Sequence, residues 1–340
     1  MARPGEMLFN FGPKSSILLI FFVHGLVYSF LLWKRGIQES DTSSKWLAAF
    51  VALCALYVVP FMLGYAGWYA HDGYRETLFF IPFQQVLLLG PVLFFYARSL
   101  MAPGRKFTRP DWLHFLPALA YLAYSLIIWL VDVFVLDEYY FYADGRDKDL
   151  KFWYQALGWI SMVAYLLASL DIYQRYLRDS AEWVSFADAI RLEWMRNFLL
   201  AFLLILILRM LFFILNPEWG EFGRKFWFYL CFSVLFYYIA ITGYAQTVRN
   251  AIALSQSDVP ADLPDPETAP PQNDFGPKEL EQWKVLIDQA FTNDRLHEQP
   301  TLTLAQLART LQLPPKTLSA AINQGFGMNF NDLVNSYRVK

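Results

Sequence analysis

The chain has 340 residues, of which 56% are hydrophobic and 19% aromatic, and a mean hydropathy of +0.29. Soluble domains sit nearer about 45–50% apolar, so an ordinary globular protein is excluded. A net charge of −2 leaves no global basic footprint for nucleic acid. The two cysteines, Cys54 and Cys231, each lie inside an apolar run and imply neither a disulfide framework nor a metal cluster.

Taken in order, the first 250 residues hold seven apolar runs of membrane-spanning length. They are Ser15–Trp33, Trp46–Trp68, Thr77–Ser99, Trp112–Val135, Phe152–Tyr173, Phe198–Leu215 and Phe226–Ala245. Backbone groups in lipid must be satisfied within the segment, so each run is expected to be a helix. Pro60, Pro82 and Pro91 fall inside runs two and three and predict kinks there. Trp33, Trp46, Trp68, Tyr69, Trp112, Trp153 and Trp227 gather near the run ends, as an aromatic belt at the headgroups would. Run one is followed by Lys34-Arg35 without a small-residue cleavage site, which suits a retained helix. One set of loops carries ten lysines and arginines. The opposite set, with the N-terminus, carries eight. That bias predicts the N-terminus outside and the C-terminus in the cytoplasm. The expected fold is therefore an all-α membrane protein, a seven-helix bundle over residues 1–246, followed by a small helical cytoplasmic domain.

Polar groups inside the runs are costly in lipid and are the candidates for sensing. Asp132 in run four and Arg209 in run six lie at a similar depth and are expected to pair or to share a polar pocket. Gln84 and Gln85 are adjacent in run three, so at least one must face the bundle. His24 sits in the middle of run one, where a helix–helix contact is its expected use. The outside loop Asp137–Lys151 carries Asp137, Glu138, Asp144, Asp147 and Asp149. Its Tyr139-Tyr140-Phe141-Tyr142 segment reads as an interfacial anchor.

Other membrane chemistries lack their residues. Run seven holds no lysine for a retinal Schiff base. The end of run three reads Phe95-Tyr96-Ala97-Arg98, without the acidic-Arg-aromatic pattern of G-protein-coupled receptors. No matching pair of broken helices marks two transporter halves. Four scattered histidines (His24, His71, His114, His297) and no glycine-rich loop leave no nucleophile–base pair or phosphate cradle, and neither enzyme activity nor a cofactor is expected.

Thr247–Gln256 is polar enough to form a helical stub. Residues 247–277 form the connection as a whole, and the stretch 257–277 holds six prolines among several acids, the composition of a semi-extended flexible linker. Residues 278–340 form the last domain. Leu280, Trp283, Leu286, Ile287 and Phe291 give a lead-in helix its apolar face. Thr303 and Gln306 have the spacing of a capping box, and Leu304, Leu307, Ala308 and Leu311 share one face of the helix they start. Pro314-Pro315 ends that helix, and Pro315 is suited to start the next. The second helix carries Leu318, Ala321 and Ile322 and is expected to stop near Gly325. A third starts near Asn329, with Phe330, Leu333, Val334 and Tyr337 on one side.

Two short helices about a tight turn make a helix-turn-helix. The order Leu302-Thr303-Leu304-x-x-Leu307-Ala308, then Leu318-Ser319-x-x-Ile322-Asn323, then Gly327-x-Asn329-Phe330, then Val334-Asn335-x-Tyr337-Arg338-Val339 resembles the first half of the DNA-binding domain of AraC-type transcription regulators, especially those that follow a membrane sensor in bacteria. The resemblance covers roughly the last 60 residues. It implies that Lys316, Thr317, Ser319, Ala320, Asn323 and Gln324 face double-stranded DNA. The family domain has a second helix-turn-helix beyond a joining helix, and the chain reaches Lys340 inside that helix, so the second unit is expected to be missing. Ala320 stands where the family often has a basic residue, and Pro314 where a Ser or Asn cap is usual. Residues 278–340 hold seven basic and six acidic residues, a nearly neutral balance for a DNA reader. The expectation is a homodimeric one-component regulator in a bacterial inner membrane, with a small-molecule or lipid ligand for the bundle. The alternative is a receptor or transporter whose helical tail docks a protein.

Overall fold

The apolar runs fold as helices, and one of them breaks. The structure is a computed structural model, and it describes residues 11–102, 105–136, 138, 140–143, 147–183, 193–215, 222–256, 276–292, 295–299 and 302–339. Among these residues the chain is all-helical and divides into two compact units. One comprises residues 1–170 and 194–258, the other 171–193 and 259–340. The proline-rich linker lies outside the described residues, except for its last two positions, and so do Asp137, Tyr139 and Asp144.

In the first unit, α1 (Pro13–Gln38) and α2 (Thr42–Tyr65) form a close hairpin. Its turn is set by Asp41, whose carboxylate accepts from the backbone of Ser43 and Ser44 at 2.9 and 3.1 Å and so caps α2. Pro60 sits inside α2 without ending it. Then α3 (Asp72–Phe80) and α4 (Val86–Met101) follow. Residues 109–115 form a 3₁₀ segment that leads into α5 (Leu116–Leu130), and α5 widens into a π-turn over Val131–Leu136. α6 (Phe152–Trp183, in this unit as far as Leu170), α7 (Glu193–Met210, in it from Trp194, with a π-turn over Leu211–Leu215) and α8 (Phe222–Gln256) complete the set.

Six helices are long and apolar enough to cross a membrane: Pro13–Gln38, Thr42–Tyr65, Arg109–Leu136, Phe152–Asp179, Trp194–Phe213 and Arg224–Thr247. α2 is the central one, mostly buried, whereas α1 and α5 leave most of their apolar side chains on the surface. That distribution fits a bundle whose outer helices face lipid. The expected third span is not one helix. It stops at Phe80, passes through Ile81-Pro82-Phe83-Gln84 in non-helical geometry, and restarts at Val86. Proline is the cause: the residue before it is driven to extended geometry, and Ile81 has φ −85° and ψ 115°. Pro91, by contrast, is carried within α4. The polar stub after run seven is no separate element, because α8 runs unbroken from Phe222 to Gln256.

Small residues set the closest helix contacts. A β-carbon on Gly90 would lie 2.7 Å from Tyr165, and one on Gly158 would overlap Val86, so α4 and α6 meet through these two glycines. Gly25 plays the same part where α1 meets Ala55 and Phe236.

The second unit contains α9 (Pro277–Thr292), α10 (Leu304–Thr310), α11 (Pro315–Phe326) and α12 (Phe330–Arg338). Both halves of the Thr303–Gln306 capping box form, at 3.2 and 2.8 Å. Pro315 opens α11. The cap falls two residues later than expected: Gly325 is inside the helix, and Gly327 makes the left-handed cap at φ 67°. Asn329 caps α12 by accepting from Asp332 N at 2.9 Å. The core joins Ile287 and Phe291 of α9 to Leu304, Leu307 and Ala308 of α10, Leu318 and Ile322 of α11, and Phe330, Leu333 and Val334 of α12.

Candidate functional site

The break between α3 and α4 exposes backbone groups that a helix would have satisfied, and a polar cluster in the first unit satisfies them. Gln84 is its hub and is fully buried. Its backbone N–H donates to Asp149 Oδ2 at 3.0 Å, and its backbone carbonyl accepts from the Tyr154 hydroxyl at 2.9 Å. Its side-chain amide donates to the Tyr57 carbonyl at 3.2 Å and to the Tyr229 hydroxyl at 2.8 Å. Its side-chain carbonyl accepts from Gln155 Nε2 at 3.0 Å. Irregular backbone of this kind is tolerated in a membrane protein only where protein surrounds it. Tyr57 is eight residues from the end of α2, so the break lies about 12 Å along the helix from that end.

Gln155 extends the cluster into α6 and α7. Its Nε2 also donates to the Asp149 carbonyl, and its Oε1 accepts from Arg209 Nη2. The same Nη2 lies 3.3 Å from the Gln155 carbonyl oxygen, and the guanidinium carbon is 5.7 Å from the centre of the Tyr57 ring. Arg209 is 4% exposed. One hydrogen-bonded path thus runs from Asp149 through Gln84 and Gln155 to Arg209.

Asp149 enters this path because the loop after α5 folds inward. Asp147, Lys148 and Asp149 are all buried. Asp147 caps the 3₁₀ turn Lys148–Leu150 by accepting from Asp149 N at 2.9 Å. Asp149 Oδ1 accepts from the Tyr121 hydroxyl at 2.6 Å, and the Tyr121 ring stacks on Tyr154 with centroids 3.7 Å apart. The Lys148 ammonium sits 4.0 Å from the Tyr142 ring centre and 5.0 Å from that of Phe141. Burial disfavours the charged carboxylates. It raises Asp149 from 3.8 to about 6, and it raises Asp147 well above 3.8, with the neighbouring Asp149 charge pushing the same way.

These placements change several sequence expectations. Asp132 and Arg209 do not pair. Asp132 is buried at the π-turn and accepts from Phe141 N at 3.3 Å, while Arg209 is met by Gln155 and Tyr57. Both glutamines are buried, but only Gln84 joins the cluster. Gln85 donates to the Pro82 carbonyl at 2.5 Å, and its own side-chain oxygen is buried without a hydrogen bond. His24 does make the helix–helix contact expected of it, meeting the Tyr237 ring of α8 edge-on, and its ring nitrogen bonds the Ile20 carbonyl at 2.8 Å. Tyr142 is no interfacial anchor. It is buried, stacks on Phe79 at 5.0 Å and donates its hydroxyl to the Phe79 carbonyl. Both cysteines, read from their apolar runs as small buried hydrophobes, part company: Cys54 is buried and Cys231 is exposed.

A second polar lock lies at the far end of α4. Arg98 and Asp111 make a two-toothed ion pair at 2.6 and 2.9 Å, and Thr108 donates its backbone N–H to the same carboxylate at 2.8 Å. The guanidinium lies 4.4 Å from the Phe95 ring centre, within an aromatic stack of Trp46, Phe95 and Phe115. Sequence reading missed this pair. The signal was available in Arg98, which lies inside an apolar run with Asp111 just before the next.

In the second unit, the α11 residues are not equivalent. Asn323 and Gln324 are exposed, Thr317 and Ala320 are half-buried, and Ser319 is buried. Ser319 therefore faces inward in this structure, not outward as a base-reading residue must. The Lys316 side chain lies outside the described parts. Compared with protein-family models, with curated proteins and with solved structures, the chain finds no match in any of the three.

Proposed function

We propose that this protein is a membrane-embedded one-component transcription regulator of the AraC type. Its bundle receives an extracellular, periplasmic or lipid-phase signal, and its tail binds double-stranded DNA. The observation that carries this reading is one chain joining buried, hydrogen-bonded polar groups among apolar spans to a capped helix-turn-helix. Buried polar groups in such a bundle are expensive and mark function by default. Two arrangements of the Gln84 network would give the bundle two states, and a ligand favouring one would shift the population.

The bundle is read as seven crossings in a bacterial inner membrane, with the N-terminus outside and the tail in the cytoplasm. The broken α3–α4 element supplies the extra crossing. α4 alone has 16 residues, about 24 Å, short of the roughly 30 Å hydrocarbon core, so the segment before it must complete the passage. A homodimer would present two tails to paired half-sites.

The buried Ser319 and the near-neutral balance of residues 278–340 favour a second reading, in which the tail is a protein-docking module. Chromatin precipitation of the intact protein separates the two. Regulation by DNA contact requires discrete enriched loci that are lost in the Asn323→Ala/Gln324→Ala variant at equal membrane abundance. Uniform background recovery in both would overturn it.

A further inference from the structure

The corner between α4 and α5 presents positive charge that the protein does not compensate. Arg105, Lys106 and Arg109 are all exposed, and none of them has a carboxylate within 4.0 Å among the described residues. Exposed arginines elsewhere meet an acid on their own turn: Arg75 meets Asp72 at 2.6 Å, Arg175 meets Asp171 at 2.7 Å and Arg295 meets Glu298 at 3.5 Å. At this corner the only acid between Arg98 and Phe115 is Asp111, which is buried and already held by Arg98.

The corner is also held in one geometry. Thr108 donates its backbone N–H and its hydroxyl to Asp111 Oδ2 at 2.8 and 3.0 Å, and the same carboxylate grips Arg98, so the 3₁₀ turn Arg109–Phe115 is tied to the end of α4. Trp112 stands edge-on to Phe107 with centroids 5.4 Å apart, yet it is 62% exposed, and Leu113 beside it is 67% exposed. Leu116, Leu119 and Leu126 continue an exposed apolar surface along α5, within the membrane-length span Arg109–Leu136. Cations, then tryptophan, then leucines is the order of surroundings from lipid headgroup to acyl chain. A nucleic acid or an acidic peptide would meet the cations and leave Trp112 and Leu113 in water. A zwitterionic lipid would cover the apolar surface, but its own ammonium offsets its phosphate. An anionic lipid meets both demands.

We infer that the α4–α5 corner is a binding site for an anionic phospholipid, with the headgroup held by Arg105, Lys106 and Arg109 and the acyl chains lying against Trp112, Leu113 and Leu116. The site requires that α5 cross the bilayer and is independent of what the tail binds. Because the Arg98–Asp111 pair ties this turn to α4, an occupied site would also brace the α4 end of the bundle.

The test uses the full chain reconstituted in bilayers of phosphatidylcholine with rising phosphatidylglycerol. In each series one of the two lipids carries brominated chains, which quench nearby tryptophan. Subtracting a Trp112→Phe protein isolates the Trp112 signal, and the two series together give the relative affinity of the lipids at that position. Each cation contributes roughly fivefold near such a surface at low ionic strength, so the site predicts a preference for phosphatidylglycerol of more than about tenfold. Arg105→Gln/Lys106→Gln/Arg109→Gln should bring the ratio to about one. All three side chains are exposed, so this variant should fold as the wild type does. A ratio near one in the wild-type protein would overturn the site and leave the cations to a soluble acidic partner. A preference that the triple variant keeps would also overturn it, by placing the lipid elsewhere. Trp112 quenched by neither lipid would overturn it differently, by taking the start of α5 out of the bilayer.

Discussion

Replacing Gln84 with leucine tests whether the polar cluster holds the broken helix in place. Leucine has nearly the same volume, so the cavity contribution is small and the loss is electrostatic. Three side-chain hydrogen bonds disappear: to the Tyr57 carbonyl, to the Tyr229 hydroxyl and from Gln155. Each such bond contributes about 1 kcal/mol net in soluble proteins and about 0.6 kcal/mol in helix bundles in membranes. Gln155 Nε2 keeps the Asp149 carbonyl, so the group that loses most is the Tyr229 hydroxyl, which keeps only the Tyr57 hydroxyl beside it. The expected destabilisation is about 2–3 kcal/mol. The backbone bonds from Gln84 to Asp149 and from Tyr154 do not involve the side chain, so the fold should survive. The assay is reversible unfolding in mixed micelles followed by tryptophan fluorescence, with Gln155→Leu and the double variant completing a cycle. Because the two side chains touch, the cycle should show coupling of about 0.5 kcal/mol or more. A Gln84→Leu protein within about 0.5 kcal/mol of wild type, with additive double-variant energies, would show that the cluster does not hold the break.

Two further outcomes follow from packing and charge. Gly158→Ala should separate α4 from α6, because its added carbon meets the Val86 side chain and backbone and not a flexible tip. A loss of about 1–3 kcal/mol in the same unfolding assay is expected, and wild-type stability would mean that the helices slide apart freely. The Asp149 carboxyl is raised to about 6 in the folded protein from 3.8, so the folded state binds more protons than the unfolded one between those values. Its contribution to stability is therefore full below pH 3.8 and is lost as pH rises from there through about 6, by on the order of 3 kcal/mol. Asp147 extends the decline to higher pH. Asp149→Asn should flatten this slope relative to wild type, and parallel pH profiles for the two proteins would remove Asp149 from the titration.

Much of the fold was legible because its determinants are local. Apolar run length located the six long apolar helices, and the Thr303–Gln306 box, Pro315 and Asn329 marked helix ends set by local sequence. The apolar faces of α10, α11 and α12 follow the 3.6-residue period and form the core expected of them. The candidate site was only partly legible. Gln84 and Arg209 stood out as polar groups in apolar runs. Their true partner, Gln155, lies only four residues into α6, beside Trp153 and Tyr154, where a polar residue reads as interfacial. Asp147–Lys148–Asp149 reads as a solvated loop, and the carboxylate partners that bury Asp149 are remote in sequence. The explanation is 65 residues away, at the unpaired backbone N–H of Gln84. Pro82 was the available local signal. Its position predicts a kink, whereas in the structure it ends the helix and so creates the demand that Asp149 fills.

The length of α8 has a mechanical consequence. Its 35 residues span about 52 Å, well beyond the roughly 30 Å a bilayer core requires. Tyr229 is in its second turn, and there it touches Gln84. α8 packs on α1 and α2 as far as Gly243 and Tyr244, so it tilts together with them. A tilt of five degrees of that packed group about the Gln84 contact would carry Gln256 through roughly 3.5 Å, more than the about 1–2 Å helix shifts common at interfaces. A rearrangement no larger than one lost hydrogen bond could therefore leave the bundle as a displacement that the tether can pass on.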